Sequence, residues 1–275
     1  MRTVLIDADV LVYQASNSVQ RTIEWEPGMF TVHGDLGSAK EIVDRKIGRI
    51  CEQLKADKLV LALSDYDDPW RKRIMPEIKA NRSAVKPVLL HPLREYLHER
   101  YDVFQRPTLE GDDVLGILGT HPTLQPGQKI TVTLDKDLKG VPGFHANLKE
   151  LDKKGEDAIT EISEHEADFF HLYQALAGDP SDGYPGCPGI GPKKADKILR
   201  AVMDEGTPWA DRESLLTGYW EAIVATYTKA GLNGEVALLN ARVARICRFR
   251  DYDYSKKRVI LWSPPATSAG TAKGN

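Results

Sequence analysis

Acidic residues recur along this chain in five short motifs whose spacing invites metal chemistry. The first is Val4-Leu5-Ile6-Asp7-Ala8-Asp9; the second, Leu61-Ala62-Leu63-Ser64-Asp65-Tyr66-Asp67-Asp68, offers three aspartates, with Asp65 nearest the end of an apolar run. The third, Leu109-Glu110-Gly111-Asp112-Asp113-Val114-Leu115, crowds three carboxylates at the start of a helical pattern. The fourth is Thr133-Leu134-Asp135-Lys136-Asp137-Leu138 and the fifth Ala177-Gly178-Asp179-Pro180-Ser181-Asp182-Gly183. Singly, each has a plainer explanation, since acids stabilise the first turn of a helix and Asp, Pro, Ser and Gly favour turns. Gathered by folding, they would repel one another and oppose folding unless cations compensated. Hard oxygen donors without a Cys/His cluster point to Mg²⁺ or Mn²⁺ rather than zinc. Two such ions, roughly 3.5–4 Å apart, activate a water and stabilise the leaving oxygen of an in-line displacement at phosphorus. The implied reaction is phosphodiester hydrolysis, with Asp7, Asp65, Glu110, Asp112, Asp113, Asp135, Asp137, Asp179 and Asp182 as candidate ligands. Asp67 and Asp68 compete with Asp65, and Asp9 is open to three roles: a further ligand, a supporting partner or a helix cap.

Two basic features accompany the acids. Trp70-Arg71-Lys72-Arg73-Ile74-Met75-Pro76-Glu77-Ile78-Lys79-Ala80-Asn81-Arg82, continued to Lys86, holds six basic residues against one acid. Such a run is commonly a solvated face, but between two candidate ligand motifs it can supply cations to phosphates. Trp70 fits either a base stack or a core. Gly186-Cys187-Pro188-Gly189-Ile190-Gly191-Pro192-Lys193-Lys194-Ala195-Asp196-Lys197 is more specific. Gly189 and Gly191 permit a tight turn whose N–H groups approach phosphate, a helix begins near Pro192, and Lys193, Lys194 and Lys197 add charge. Contacts of this kind position a duplex without reading its sequence.

The elements that must position these residues read as α/β in the first half. Strand candidates Val4–Ile6, Leu59–Leu63 and Ile130–Thr133 each lead into an aspartate, and in open α/β sheets ligands sit beyond the carboxyl ends of the strands. Thr22–Val32 reads as a hairpin turning at Glu26-Pro27-Gly28. A helix is expected from a capping-box pattern at Ser38-Ala39-Lys40-Glu41, with Ile42, Val43, Ile47, Ile50 and Leu54 on its apolar face. From about Ser163 the pattern turns helical, which predicts a catalytic domain over 1–163, a helical DNA-binding domain over 164–262 and a disordered tail over 263–275.

A chain of 275 residues can bury a substantial core. No apolar run is long enough to cross a bilayer, and the start lacks a secretory pattern, so a cytoplasmic location is expected. Cys51, Cys187 and Cys247 suggest neither a disulfide framework nor a zinc ribbon. The formal net charge of −3 does not exclude nucleic acid: setting aside the nine candidate ligands turns 37 basic against 40 acidic residues into 37 against 31, a remainder of +6.

In the order and spacing of these motifs, from Met1 to about Leu199, the chain resembles the flap endonuclease and 5′-to-3′ exonuclease superfamily, most of all its stand-alone bacteriophage members. The resemblance implies a PIN-like (Rossmann-like) α/β core with a mainly parallel sheet, a basic arch over 66–90 and a helix-three-turn-helix (helix-hairpin-helix) module. It aligns the nine carboxylates with the family's metal ligands. Arg71, Lys79 and Arg82 align with its arch cations, Lys79 and Arg82 being expected to contact the scissile phosphate. It further implies a potassium site at Gly186, Gly189 and Gly191, substrates with 5′ ends or 5′ flaps, RNA–DNA hybrids among them, a monomeric protein, and products bearing 5′-phosphate and 3′-hydroxyl. Departures are Asp9 and Val10 after the first aspartate, Ile78 in place of an aromatic before Lys79, and three prolines in a short arch. Two competing readings explain less. A haloacid-dehalogenase-like phosphatase leaves Glu110-Gly111-Asp112-Asp113 and the glycine hairpin unexplained, and a non-catalytic helix-hairpin-helix protein leaves the acidic motifs unexplained.

Overall fold

The computed structural model describes residues 1–81, 85–204 and 211–265. Its ten strands are β1 (Arg2–Asp7), β2 (Gln20–Glu26), β3 (Met29–Gly34), β4 (Lys58–Ala62), β5 (Val103–Phe104), β6 (Gln128–Thr133), β7 (Gly143–Asn147), β8 (Ile159–Ile162), β9 (Tyr252–Asp253) and β10 (Arg258–Val259). The α-helices are α1 (Ala8–Val19), α2 (Leu36–Gln53), α3 (Trp70–Ile74), α4 (Leu90–Arg100), α5 (Gly111–Thr120), α6 (Leu148–Lys154), α7 (Glu164–Ala177), α8 (Pro192–Asp204), α9 (Arg212–Lys229) and α10 (Gly234–Ala244).

Six strands form one sheet in the order β5-β4-β1-β6-β7-β8, parallel throughout except for β8. β1 lies at its centre, and Val4, Leu5 and Ile6 are almost wholly buried because both faces of the sheet are covered. On one face Val4 and Ile6 pack with α1, α2 and α4 through Leu11, Val43, Ile47, Leu93 and Leu97. On the other, Leu5 packs with Val114 and Leu115 of α5. The connections are parallel crossovers, so β1, β4 and β6 all end at the same edge, and each is followed there by aspartates.

β2 and β3 form the expected antiparallel ribbon, with Gly28 at φ +81 in its turn. The start of α2 differs from expectation. Asp35, not Ser38, is the N-cap: its carboxylate accepts the Gly37 N–H at 2.9 Å and the Ser38 hydroxyl at 2.6 Å, so the helix begins at Leu36. The expected apolar face is otherwise as placed, with Val43, Ile47, Ile50 and Leu54 buried.

The second layer is helical. α7 begins at a capping box on Ser163 and Glu166, and α7 to α10 enclose a core of their own around Leu172, Leu176, Leu199, Tyr219 and Tyr227. Trp262 packs on this helical core beside His171 and Trp220, but the segment between α10 and Trp262 is shared with the other layer. After α10 the chain returns to the nuclease core, where Ile246, Cys247 and Tyr252 pack on α5. Apolar positions spaced along a strap do not reveal from sequence which core they fill. Residues 266–275, most of the tail expected to be disordered, lie outside the described residues, as does Arg82.

Candidate active site

The arrangement starts from strand ends. Asp7 closes β1 and caps α1, accepting the Val10 N–H at 3.4 Å and the Thr133 hydroxyl at 3.1 Å. Glu110 is the N-cap of α5, which puts Asp112 in the first helical turn. Asp135 follows β6 and caps the short 3-10 turn Lys136–Gly140, accepting the Asp137 N–H at 2.8 Å. Asp7, Asp65, Lys79, Glu110, Asp112 and Asp135 thereby line one open cleft of ≈ 420 Å³, with Tyr13 and Tyr66 on its walls. Asp137, the buried Asp179 and Asp182 stand beside it, where the charges of Asp179 and Asp182 raise the proton affinity of Asp137.

The charge balance is uneven. Burial, and then the charges of Asp9 and Asp135, push Asp7 up to about 7, well above a normal aspartate. Asp112 is likewise pushed well up, by burial and by the charges of Asp7 and Asp135. Asp137 rises to about 7 through burial and the neighbouring Asp135 and Asp179. Glu110 goes the other way: burial opposes its charge, but Arg71 and Lys79 more than offset it. Lys79, set at φ +58, bridges Glu110 and Asp182, the latter at 3.6 Å. Its ammonium is held above the usual lysine range despite burial. Lys136 stands 3.0 Å from Asp179 and keeps that carboxyl low together with Ser181.

Among the described residues no three Asp, Glu, His or Cys side chains stand close enough to encircle an ion as they are. The donor set nevertheless fits a hard divalent cation. It consists of carboxylates alone, and the raised proton affinity of Asp7, Asp112 and Asp137 marks a crowd of acids that the two lysines do not balance.

Two expected site residues are placed elsewhere. Arg71 is 5% exposed and reaches no open surface. Its guanidinium donates to Asp113 at 2.7 and 2.8 Å, to Glu110 at 2.6 Å, and to the carbonyls of Val243 and Arg245 at 2.9 and 2.6 Å. Asp113 is fully buried; besides Arg71 it accepts the Trp70 indole N–H at 2.8 Å and the Cys247 N–H at 3.0 Å. These two residues are a strut joining α3, α5 and the returning strap. An arginine fork inside a run of basic residues, and an acid in a run of acids, give no sequence sign of pairing inward. Trp70 is likewise core, and so is Ile78 at 1% exposure, packed with Met75, Tyr184 and Val243.

Asp65 lines the cleft, but its two oxygens accept backbone N–H groups of Asp67 (3.1 Å) and Thr108 (2.7 Å). Asp68 pairs with Arg73 on the surface. Asp9 is held by Arg94, the Tyr66 hydroxyl (3.0 Å) and the Ser64 N–H (2.8 Å), which makes it a charge-paired brace. Arg94, Tyr66 and Lys136 are the residues sequence reasoning missed. Only Lys136, flanked by two candidate ligands, carried a local signal.

The glycine segment joins α7 to α8. Gly178 and Gly186 adopt φ +68 and +65 with backbones in mutual contact, where a Cβ would lie within 2.4 Å of neighbouring main chain. Gly189, at φ +74, and Gly191 face open space. The Lys194 ammonium rests 2.9 Å from the Gly189 carbonyl. Lys193 and Lys197 stand on the first turns of α8.

No family model matches the chain. It is 31% identical to the exodeoxyribonuclease of Enterobacteria phage T3 over 94% of its own length and 92% of that protein's. Identity is again 31% with the exonuclease of Escherichia phage T7, over 94% and 93% of the two chains. This chain belongs to the 5′-to-3′ exonuclease and flap endonuclease family. As a member it is a hydrolase of phosphodiester bonds. The flap endonuclease Xni of Shewanella piezotolerans is 27% identical over 69% of this chain and 75% of its own. The fold of this 5′ nuclease is shared by the flap endonuclease of bacteriophage T5 in complex with DNA and metal ions: TM-score 0.53, 13% identity, 89% and 93% of the chains covered. A PIN-like α/β nuclease core, expected from the motifs, is therefore the architecture present.

Proposed function

We propose that this 5′ nuclease hydrolyses DNA at or near 5′ ends with two divalent cations, Mg²⁺ or Mn²⁺, leaving 5′-phosphate and 3′-hydroxyl. The observation that carries the reading is the convergence of Asp7, Asp112 and Asp135 from three separate elements on one cleft, each acid raising the charge cost of the next. Asp7, Glu110, Asp112 and Asp135 would hold one ion, and Asp137, Asp179 and Asp182 a second, with Asp65 a peripheral donor. When bound, the ions supply a metal-activated water and charge for the leaving oxygen. Among the described residues Lys79 is the cation best placed to hydrogen-bond the phosphate, because its ammonium already faces the cleft between Glu110 and Asp182. Arg94 and the Tyr66 hydroxyl hold the Asp9 carboxylate in place, so it braces the cleft wall while its charge still bears on Asp7.

The segment Gly186–Gly191 and α8 form the helix-three-turn-helix module of this reading. Open space over Gly189 and Gly191 admits a phosphate to the backbone, with Lys193, Lys194 and Lys197 beside it. The Lys194 ammonium on the Gly189 carbonyl marks a point that accepts a cation, which supports a potassium site there. Purified protein with Mg²⁺ should degrade duplex DNA from a labelled 5′ end or trim 5′ flaps, and EDTA should stop it. Metal-independent cleavage, or hydrolysis of small phosphoesters instead of DNA, would reject the proposal. Nicked, blunt, flapped and RNA–DNA substrates compared side by side would rank its targets.

A further inference from the structure

A second charged cleft lies at the far end of the nuclease core. α5 leads away from the acidic cleft to Thr120, and α7 leads from Glu164 towards Asp179. At about 1.5 Å per residue, these helices separate the two clefts by roughly 15–20 Å. At the far end, Thr120 and Glu164 border a cavity of ≈ 520 Å³ whose opposite wall is Arg212, Arg245, Arg248 and Arg250.

Part of this charge is used internally. Arg248 donates to Asp168 at 2.7 Å and to the Gly140 carbonyl at 2.9 Å, and Arg212 grips the same aspartate at 2.5 and 3.0 Å. Arg245 spends only its Nε, on Asp251 at 2.8 Å. The residue is 8% exposed and lines the cavity, and its two terminal amino groups have no hydrogen-bond acceptor among the described residues. A guanidinium fork that meets only solvent in a recess is free to take an anion's oxygens in place of water. Arg250 is exposed, lies over the Phe249 ring and makes no ion pair among the described residues. Asp168 and Asp251, with Glu164 at 3.8 Å from Arg212, leave the four guanidiniums in excess.

We propose that this cleft binds a phosphate group, with the terminal nitrogens of Arg245 and the guanidinium of Arg250 as its principal donors. Planar guanidinium forks match phosphate oxygens in charge and geometry. Burial and repulsion from Arg245 push Arg248 down to about 10, and an anion among them relieves that repulsion. The site also has a mechanical link to the acidic cleft. The backbone carbonyl of Arg245 accepts from Arg71, which in turn holds Glu110. The phosphate belongs to a DNA backbone or to a mononucleotide freed by hydrolysis, two sources of one chemistry.

Full-length protein in EDTA, whose acidic cleft then repels anions, would be titrated calorimetrically with inorganic phosphate, a deoxynucleoside 5′-monophosphate and a short duplex. Arg250→Gln and Arg245→Gln would be titrated alongside. The expected result is binding weakened by about tenfold or more in both variants. Loss of phosphate and nucleotide binding identifies a free ligand; loss confined to the duplex identifies its backbone. Should Arg245→Gln not fold, Arg250→Gln decides, since that side chain takes part in no internal pairing. Variants that bind all three ligands as the wild type does would overturn the proposal. So would a wild type that binds neither small ligand and loses no duplex affinity on substitution.

Discussion

Replacing Arg71 separates two ideas about the basic segment, because the same residue is an arch cation in the family pattern and a buried strut in the fold. Arg71→Met removes five hydrogen bonds and leaves Asp113, fully buried, with only three neutral donors, the Trp70 indole and the backbone N–H groups of Cys247 and Glu110. Stranding one member of a buried ion pair costs about 3–5 kcal/mol. At roughly 2–4 °C per kcal/mol for a chain of this size, Tm falls by about 6–20 °C. Asp113 is now held below the ordinary aspartate range because Arg71 outweighs burial. Without Arg71, burial raises it, so the folded state of the variant prefers the proton. The deficit is then full at pH 7.5 and shrinks as pH falls towards 5. Adding Asp113→Asn should recover about half of the lost stability, since the neutral amide no longer needs a counter-charge. Calorimetric or fluorescence melts of the wild type, single and double variants at both pH values test this. If Arg71→Met melts within about 2 °C of wild type and instead raises KM for DNA, Arg71 touches substrate and the strut is wrong.

The remaining predictions concern the acidic cleft and the glycine segment. Asp7 and Asp137 sit at about 7 in the metal-free fold against an ordinary value of 3.8, so their ionisation weakens the fold as pH rises towards and through 7. Mg²⁺ should therefore raise Tm more at pH 8.5 than at pH 5.5, and an equal gain at both would contradict the assignment. Asp135→Ala should lower cleavage at least about a hundredfold while duplex affinity, measured by anisotropy in Ca²⁺, stays within about threefold; parallel loss of both would indicate a folding role. Gly186→Ala should cost more than about 2 kcal/mol in a urea melt, because a Cβ there would lie 2.3 Å from the Gly178 nitrogen. Gly189→Ala meets open space and pays only the φ +74 penalty of about 1 kcal/mol, so its effect should appear mainly as weaker duplex binding.

Much of the fold was legible because its signals are local. An apolar run ending in Asp7, another before Asp65 and a third before Asp135 indicate parallel strands whose ends share an edge, and hydrophobic periodicity alone finds α2 and α5. The order of acidic, basic and glycine motifs is likewise a property of the linear chain, and it was sufficient to mark the family. Which charges face each other is not such a property. Whether Arg71 points to solvent or to Asp113, and whether Asp9 is free for a ligand or held by Arg94, depends on residues 42 and 85 positions apart along the chain. Such pairing follows from which helix face a distant crossover brings near, and propensity and spacing carry no record of that. The same holds for the strap from Ile246 to Tyr252, whose return to α5 sets Arg71 in place and turns Arg245 towards the far cleft. The sequence by itself determined the chemistry available to this nuclease, while the tertiary structure decided which of its charges remain uncompensated and therefore open to a ligand.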